Sequence, residues 1–295
     1  MSFIPAWSIV IPTYGRGHAL PGLLESLAAL QSPAGGFEVI LVDDGSPEPL
    51  DSIVDPFTGG DLNLTLVRKT NGGPAGARNL GVEKARGRWV ALTDDDCRPY
   101  RDWLIRLAEA VNETPNDMIG GQTDNGLPDN LYSESSQLLV DYLYHYDRRN
   151  NDGAQFITSN NMAMARADFI DIGGFDENFP LAAGEDRDFC DRWQRSGRSI
   201  RVVSSARIDH FHALSATGFW RQHRNYGRGA VRVHDVRRSN EATSTRFERL
   251  SFYATLVAYP VTAGVDRPWR KTLLMAASQV ATTEGYLRQW WRQRR

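Results

Sequence analysis

Cysteine is scarce in this chain. Cys97 and Cys190 are the two it has in 295 residues, too few for a disulfide scaffold or a cysteine-rich zinc site. They fit a reducing compartment. Long hydrophobic runs are also missing. The longest uncharged stretch, Leu250–Val265, falls short of the ~20 residues that span a bilayer and contains Pro260 and Gly264, so no transmembrane helix is expected. Met1–Tyr14 has no basic segment and Ser8–Ile11 is too short for a signal core, so a cytoplasmic address is expected. No internal repeat, heptad array or low-complexity tract appears. His-Glu-x-x-His is absent, which removes the zinc-protease reading. Asn71–Asn79 is glycine-rich but matches neither phosphate-loop nor dinucleotide-binding spacing, and Gly15-Arg16-Gly17 fails the latter because residue 20 is Leu. With no nucleic-acid-binding motif either, no nucleic-acid partner is expected.

What is present is an ordinary globular composition, 41% hydrophobic and 24% charged, with 8 Trp, 10 Tyr and 12 Phe to build a core. Charge is unevenly spread. Residues 1–200 hold 17 Lys/Arg against 30 Asp/Glu, and residues 201–295 hold 17 against 6. A basic tail on an acidic body points to an anionic surface or substrate near the C-terminal end, or to a solvated Arg-rich helical face.

Short apolar runs alternate with helical spacing. Strands are expected at 7–12, 37–42, 62–67 and 88–92, and helices at 18–30, 75–85 and 103–112. This is an α/β pattern with a mostly parallel central sheet flanked by helices. Further on, a helix at 131–146, a polar loop at 147–153, a strand at 156–164, a helix at 186–195, a strand at 200–203 and a mainly helical tail are expected. Three strands end in polar clusters, Thr13-Tyr14, Asp43-Asp44 and Asp94-Asp95-Asp96. In an open α/β sheet that edge is where ligands bind.

Adjacent carboxylates repel unless a cation or hydrogen-bond donors neutralise them. Asp94–Asp96 is therefore either a divalent-cation site able to hold a diphosphate or a solvated, helix-capping loop. Asp43-Asp44-Gly45-Ser46 is either an acceptor for a base or ribose or an Asx turn. Arg78 can meet a phosphate or a base, or lie on a helix surface. Gly184-Glu185-Asp186 opens a helix, where carboxylates act as caps, unless a cleft makes one a general base. His210 and His212 are two apart, so in an extended segment at most one joins the acidic loop. A histidine with carboxylates suits Mn²⁺ or Mg²⁺.

Together these segments resemble glycosyltransferase family 2. The resemblance rests on Ser8-Ile-Val-Ile-Pro-Thr-Tyr14, Val39-Ile-Leu-Val-Asp-Asp-Gly-Ser46, Asn71-Gly-Gly-Pro-Ala-Gly-Ala-Arg-Asn-Leu-Gly81, Gly87-Arg-Trp-Val-Ala-Leu-Thr-Asp-Asp-Asp96, Gly173-Gly-Phe-Asp-Glu177 and Gly184-Glu-Asp186, in order across residues 7–212. It implies the GT-A fold, with a Rossmann-like, mostly parallel sheet over residues 1–225 and a helical C-terminal extension over 226–295 serving acceptor, membrane or dimer contacts. By the same resemblance, Pro12, Thr13, Tyr14, Asp44 and Arg78 surround the nucleotide. Asp94 and Asp95 face the donor, with Asp96 and His210 (or His212) on Mn²⁺ or Mg²⁺. Asp186, beside Glu185, is the base of an inverting transfer from a nucleoside-diphosphate sugar, UDP favoured, to a hydroxyl of a glycan or lipid-linked saccharide.

Gly15 stands where the family commonly has Asn after Tyr. Trp193 and Tyr142, with Tyr132, Tyr144 and Tyr146, are acceptor-groove candidates or plain packing. The 147–153 loop is a candidate lid. Aromatic and basic residues at 245–295 suit a membrane interface at the inner face of the cell membrane, or a homodimer contact. A sugar-nucleotide pyrophosphorylase would need a glycine-rich signature loop after the first strand, which Pro12-Thr-Tyr-Gly-Arg16 does not supply. A non-catalytic nucleotide-sugar or glycan binder of the same fold is the alternative, separable by release of free nucleoside diphosphate.

Overall fold

The structure, a computed structural model, describes residues 4–58, 62–150, 154–179, 183–239 and 248–294. In chain order the elements are β1 (Trp7–Thr13), α1 (Leu20–Ala28), β2 (Phe37–Asp43), α2 (Asp51–Val54), β3 (Leu64–Arg68), α3 (Pro74–Lys84), β4 (Trp89–Leu92), β5 (Cys97–Pro99), α4 (Trp103–Glu113), β6 (Met118–Asn125) and α5 (Leu131–Asn150). There follow β7 (Met162–Ala165), α6 (Arg166–Asp171), α7 (Glu185–Arg195), β8 (Ile200–His210), α8 (Ala216–Ser239), α9 (Leu250–Thr262) and α10 (Pro268–Gln293).

Two compact units result. The first gathers Met1–Asp124, Gly153–Glu177 and Phe189–Phe211, and the second Asn125–Asp152, Asn178–Asp188 and His212–Arg295.

The sheet runs β3-β2-β1-β4-β7-β6-β8-β5. Its first four strands are parallel, with β1 between β2 and β4. Every residue of β1 is buried, as a central parallel strand covered on both faces requires. The other half turns antiparallel at β4–β7, β7–β6 and β5–β8, so the sheet is mixed rather than mostly parallel. On α1, Leu20, Leu23, Leu24 and Leu27 form one buried stripe against a core that includes Ile9, Leu41, Trp103 and Leu107. A second device is the buried Glu38, whose carboxylate accepts from Ser8 Oγ (2.7 Å), Arg86 N (2.7 Å) and Arg86 Nε (2.8 Å). It ties the turn before β4 to β1 and β2.

Several boundaries differ from expectation. The strand expected at 156–164 is confined to Met162–Ala165, because Asn161 is drawn aside to accept from Trp103 Nε1 and to donate to Gln122 and Ala206 carbonyls. The strand expected at 200–203 runs on through His210. The helix expected at 131–146 continues to Asn150, so Asp147–Asn150 is helical. No glycine or proline interrupts it before Gly153. The rest of the loop expected at 147–153 lies outside the described residues.

The second unit is helical. α8 and α10 pack at close backbone range, and a Cβ on Gly227 would collide with the Thr282 carbonyl, one on Gly285 with that of Arg224. Lys271 is buried and ion-paired to Glu134, which Arg267 also approaches at 3.6 Å. Tyr142 sits in the apolar cluster of Leu138, Phe252, Leu256 and Met275. The outer face of α10 is unlike its buried one. Trp269 (71%), Leu273 (72%), Val280 (58%), Leu287 (49%) and Trp291 (60%) are exposed. At ~100° per residue they fall in a stripe about 40° wide and about 33 Å long. No helix among the described residues is long and apolar enough to cross a membrane.

His223 on α8 is fully buried between Phe219 (4.3 Å) and Tyr226 (5.4 Å), and neither ring nitrogen has a partner. Burial, then the charge of His212, lowers its pKa to about 4. The unfolded chain therefore takes up this proton first, and stability is lost as pH falls from ~6.5 towards 4, by about 3 kcal/mol in all. Urea unfolding at pH 7.5 and pH 5 should show the loss, and His223→Phe should flatten that part of the slope. An unchanged slope would mean that other groups set it.

Candidate active site

The chain leaves β1 towards β2 and β3 on one side, then returns through α3 to β4 on the other. The order reverses between β1 and β4, and in open α/β sheets ligands bind at such a switch point, outside the carboxyl ends of the strands. Thr13, the last residue of β1, donates Oγ1 to Asp95 Oδ2 at 2.7 Å across this point. Arg78, nearly buried on α3, donates to Asp94 Oδ1 at 2.6 Å and lies 5.8 Å over the Phe175 ring. Arg16 NH1 bridges Asp95 Oδ1 (3.1 Å) and Asp96 Oδ2 (2.6 Å). His210 pairs in register with Cys97 and brings Nε2 to 3.2 Å from Asp96 Oδ1.

This arrangement reshapes the protonation equilibria. Burial pushes the Asp95 carboxyl up to about 6, with Arg16 and the Thr13 hydrogen bond pulling down and Asp96 and Asp94 adding to the rise. Burial opposes charge on His210, yet the Asp96 hydrogen bond and the charges of Asp96 and Asp94 carry its pKa above the ordinary value. Burial, then the charges of Asp94 and Asp96, push the Cys97 thiol well up.

Asp96, Cys97 and His210 offer ligand atoms within 4.8 Å of one another. Asp96 and His210 supply one carboxylate and one imidazole. That pair fits Mn²⁺ or Mg²⁺, which complete their shells with phosphate oxygens and water. It does not fit a closed tetrahedral zinc site.

Asp44 is buried and its carboxylate is heavily used. Oδ1 accepts from Lys69 Nζ (2.7 Å) and Gly72 N (3.0 Å), and Oδ2 from Asn71 Nδ2 (3.2 Å) and Gly73 N (2.7 Å). Gly73 takes φ +90° to start α3, so Asp44 fixes the entry to the helix that carries Arg78. The Gly173–Glu177 motif is tied to the same helix. Asn79 donates to the Phe175 carbonyl (2.9 Å) and to Glu177 (2.8 Å), and accepts from Phe175 N (2.9 Å). Pro12 is buried in β1, and Tyr14 is exposed just beyond it.

The first unit thus brings together Thr13, Arg78, Asp94, Asp95, Asp96 and His210. Arg16, Lys69 and Asn79 were not among the expected site residues. Arg16 carries a signal in hindsight, as a cation directly after the Thr13-Tyr14 loop and ahead of three carboxylates. Trp193 is fully buried against Phe189, which itself packs on Phe169 and Phe175, with Nε1 on the Ser199 carbonyl at 2.9 Å.

In the second unit, Gly184 (φ +100°) precedes α7. Asp186 Oδ1 accepts from Arg187 N at 2.8 Å, and Glu185 is buried. The Tyr226 phenol is pushed up to about 12 by burial, with Asp186 and Glu185 adding to the rise. The His212 carbonyl accepts from Ser133 Oγ at 2.6 Å. Tyr142 is buried, its hydroxyl donating to the Phe252 carbonyl.

Comparison with known proteins agrees with this geometry. The family model described as glycosyl transferase family 2 matches residues 8–173. The chain belongs to that family. A second model, described as N-terminal domain of galactosyltransferase, matches residues 143–215. Chondroitin synthase of Escherichia coli is 29% identical over 243 residues, 70% of this chain and 35% of that protein. The chain spans less than half the length of the curated relatives it matches. Among solved structures, the mannosyltransferase PcManGT from Pyrobaculum calidifontis in complex with GDP-Man and Mn²⁺ superposes with TM-score 0.66 at 18% identity, covering 96% of this chain and 87% of that one. Staphylococcus aureus TarS 1–349 in complex with UDP gives 0.55 at 20%, covering 98% and 92%. The fold of this family 2 member is GT-A.

Asp44→Ala would strip the acceptor from two glycine amides and two side chains. It should cost about 2 kcal/mol in urea unfolding and speed exchange of the Gly72 and Gly73 amides. Unchanged exchange would show that the turn holds itself.

Proposed function

We propose that this family 2 member is a metal-dependent inverting glycosyltransferase. It moves a sugar from a nucleoside-diphosphate donor, UDP-linked first among candidates, to a hydroxyl of a glycan or lipid-linked saccharide in cell-surface polysaccharide synthesis. The observation that carries the reading is the Asp96–His210 pair, set beside Asp94 and Asp95 at the β1–β4 switch point. In this reading residues 1–225 form the catalytic domain and 226–295 an extension for acceptor, membrane or dimer contacts.

Each residue has a role in that scheme. Pro12, Thr13 and Tyr14 flank the base, and Asp44 works from beneath by fixing the turn that aims α3. Arg78 and Asp94 set the donor's ribose and phosphates, and Asp95, held by Thr13, stiffens the loop. Asp96 and His210 would hold Mn²⁺ or Mg²⁺. The cation, when bound, supplies positive charge against the departing diphosphate. Asp186 takes the proton of the acceptor hydroxyl, with Glu185 beside it on α7. A single base with in-line attack inverts the anomeric centre. Trp193 and Tyr142 serve by packing, as their burial indicates. Structures of like fold in complex with GDP-Man and Mn²⁺, and with UDP, support this donor chemistry.

Calorimetric titration of UDP, GDP and dTDP, with and without Mn²⁺, tests it. One nucleotide should bind with Mn²⁺ and lose that metal dependence in Asp96→Ala. Metal-independent binding, or none, would overturn the role of Asp96.

We also propose that the extension rests on an anionic membrane face on the cytoplasmic side. The support is the α10 stripe, with a tryptophan near each end, and Arg270, Arg288 and Arg292 on one flank at ~100° per residue. The chain should float with vesicles containing anionic lipid, and Trp269→Ser with Leu273→Ser and Trp291→Ser should abolish flotation. Equal failure of both to float would end the idea, and a dimer dissociated by the same changes would assign the stripe to a second copy.

A further inference from the structure

The acidic cluster has two arginine partners, and they are not equivalent. Arg78 is 5% exposed and engages Asp94 alone among the three aspartates. Its helix is pinned by Asn79 and by the turn that Asp44 holds, so its charge is a fixed part of the site. Arg16 is 44% exposed and lies between Gly15 and Gly17 in a short loop, whose start is held by Gly15 N on Ser46 Oγ at 2.9 Å. Its side chain reaches back to bridge Asp95 and Asp96. Both oxygens of Asp96 thus carry a donor, Arg16 on Oδ2 and His210 on Oδ1.

We propose that Arg16 is an exchangeable counter-cation of this cluster. A divalent cation gains Asp96 only by displacing Arg16, and a diphosphate promotes the exchange by taking the guanidinium over. The inference rests on the assignment of Asp96 to the metal and deepens it by naming what regulates metal affinity there.

Three physical points support it. A guanidinium nitrogen 2.6 Å from a carboxylate oxygen and a divalent cation on that same carboxylate repel one another. Asp95 and Asp96 are both largely buried, so losing Arg16 without a replacement charge is unfavourable. Arginine pairs with phosphate through two parallel hydrogen bonds, so a bound diphosphate offers Arg16 a bidentate partner in place of one NH1 shared between two carboxylates. Metal and nucleotide then bind with positive coupling, and each raises the affinity for the other by the same factor.

The test is Mn²⁺ binding followed by electron paramagnetic resonance of the free ion, with no turnover involved. The wild-type chain is compared with Arg16→Gln, Arg16→Lys and Asp96→Ala, each checked for folding by circular dichroism. With Mn²⁺ alone, Arg16→Gln should bind about tenfold tighter than wild type, Arg16→Lys should stay near wild type, and Asp96→Ala should lose the site. With UDP or GDP added, wild type should tighten several-fold and Arg16→Gln by less. If Arg16→Gln binds Mn²⁺ as weakly as wild type or more weakly while Asp96→Ala still loses the site, the counter-cation role is overturned and the metal assignment stands. Full Mn²⁺ binding by Asp96→Ala would overturn both.

Discussion

Three consecutive carboxylates at the end of a buried strand are the constraint around which the first unit is built. Asp94, Asp95 and Asp96 follow β4 after the single residue Thr93, at the edge of the low-polarity interior of the sheet. Left alone they would repel one another and lose hydration. Each instead has a distinct partner from a distant part of the chain: Arg78 from α3, Thr13 from the end of β1, Arg16 from the following loop and His210 from the end of β8. Bringing four such segments together requires β1, β4 and β8 to end on the same edge. The polar network therefore depends on strand order, and strand order depends on the apolar core beneath it. Burial raises the pKa of Asp95 because its partners replace only part of the hydration it loses.

That dependence explains what was legible in the sequence. Parallel strands buried on both faces are short continuous apolar runs, and each ends abruptly where the chain meets solvent. The strands expected at 7–12, 37–42 and 88–92 could be placed from that contrast alone, and the polar residues after them fell at the ligand-binding edge. The antiparallel half was harder. β5 is three residues long, and β6 begins Met-Ile-Gly-Gly, with neither alternation nor a hydrophobic run to mark it. β8 carries Arg, Ser, Ser, Arg and Asp along its length. Only pairing with its neighbours carries the strand beyond 203 to His210, which is why the residues alone left His210 and His212 both open.

Candidate site residues divide in the same way. Acidic clusters announce themselves because their cost demands compensation. Their compensators do not, since a lone arginine such as Arg16 is ordinary in any loop. Asp44 shows what a motif leaves unseen. Its position after a strand suggests a ligand contact, and the structure adds that its oxygens also hold the 69–73 segment. Aromatic residues mislead for a related reason. Trp193 and Tyr142 both carry a polar atom that must be satisfied when buried, and both find a backbone carbonyl. A sequence shows the ring but not the carbonyl, so a packed aromatic and a sugar-stacking one look alike.

The second unit follows a different logic. Its helices owe their proximity to absent side chains, at Gly227 and Gly285, and to one buried ion pair, Lys271–Glu134. A glycine within a helical pattern ordinarily counts against the helix; here it allows two backbones to touch. A lysine in an amphipathic stretch ordinarily marks the wet face, and here it lies on the buried one, while leucine and tryptophan occupy the outside of α10. Met275, Ala281 and Gly285 share the buried face with Lys271, and the outer stripe adds nothing to that packing; the membrane face proposed above would give it a partner other than water.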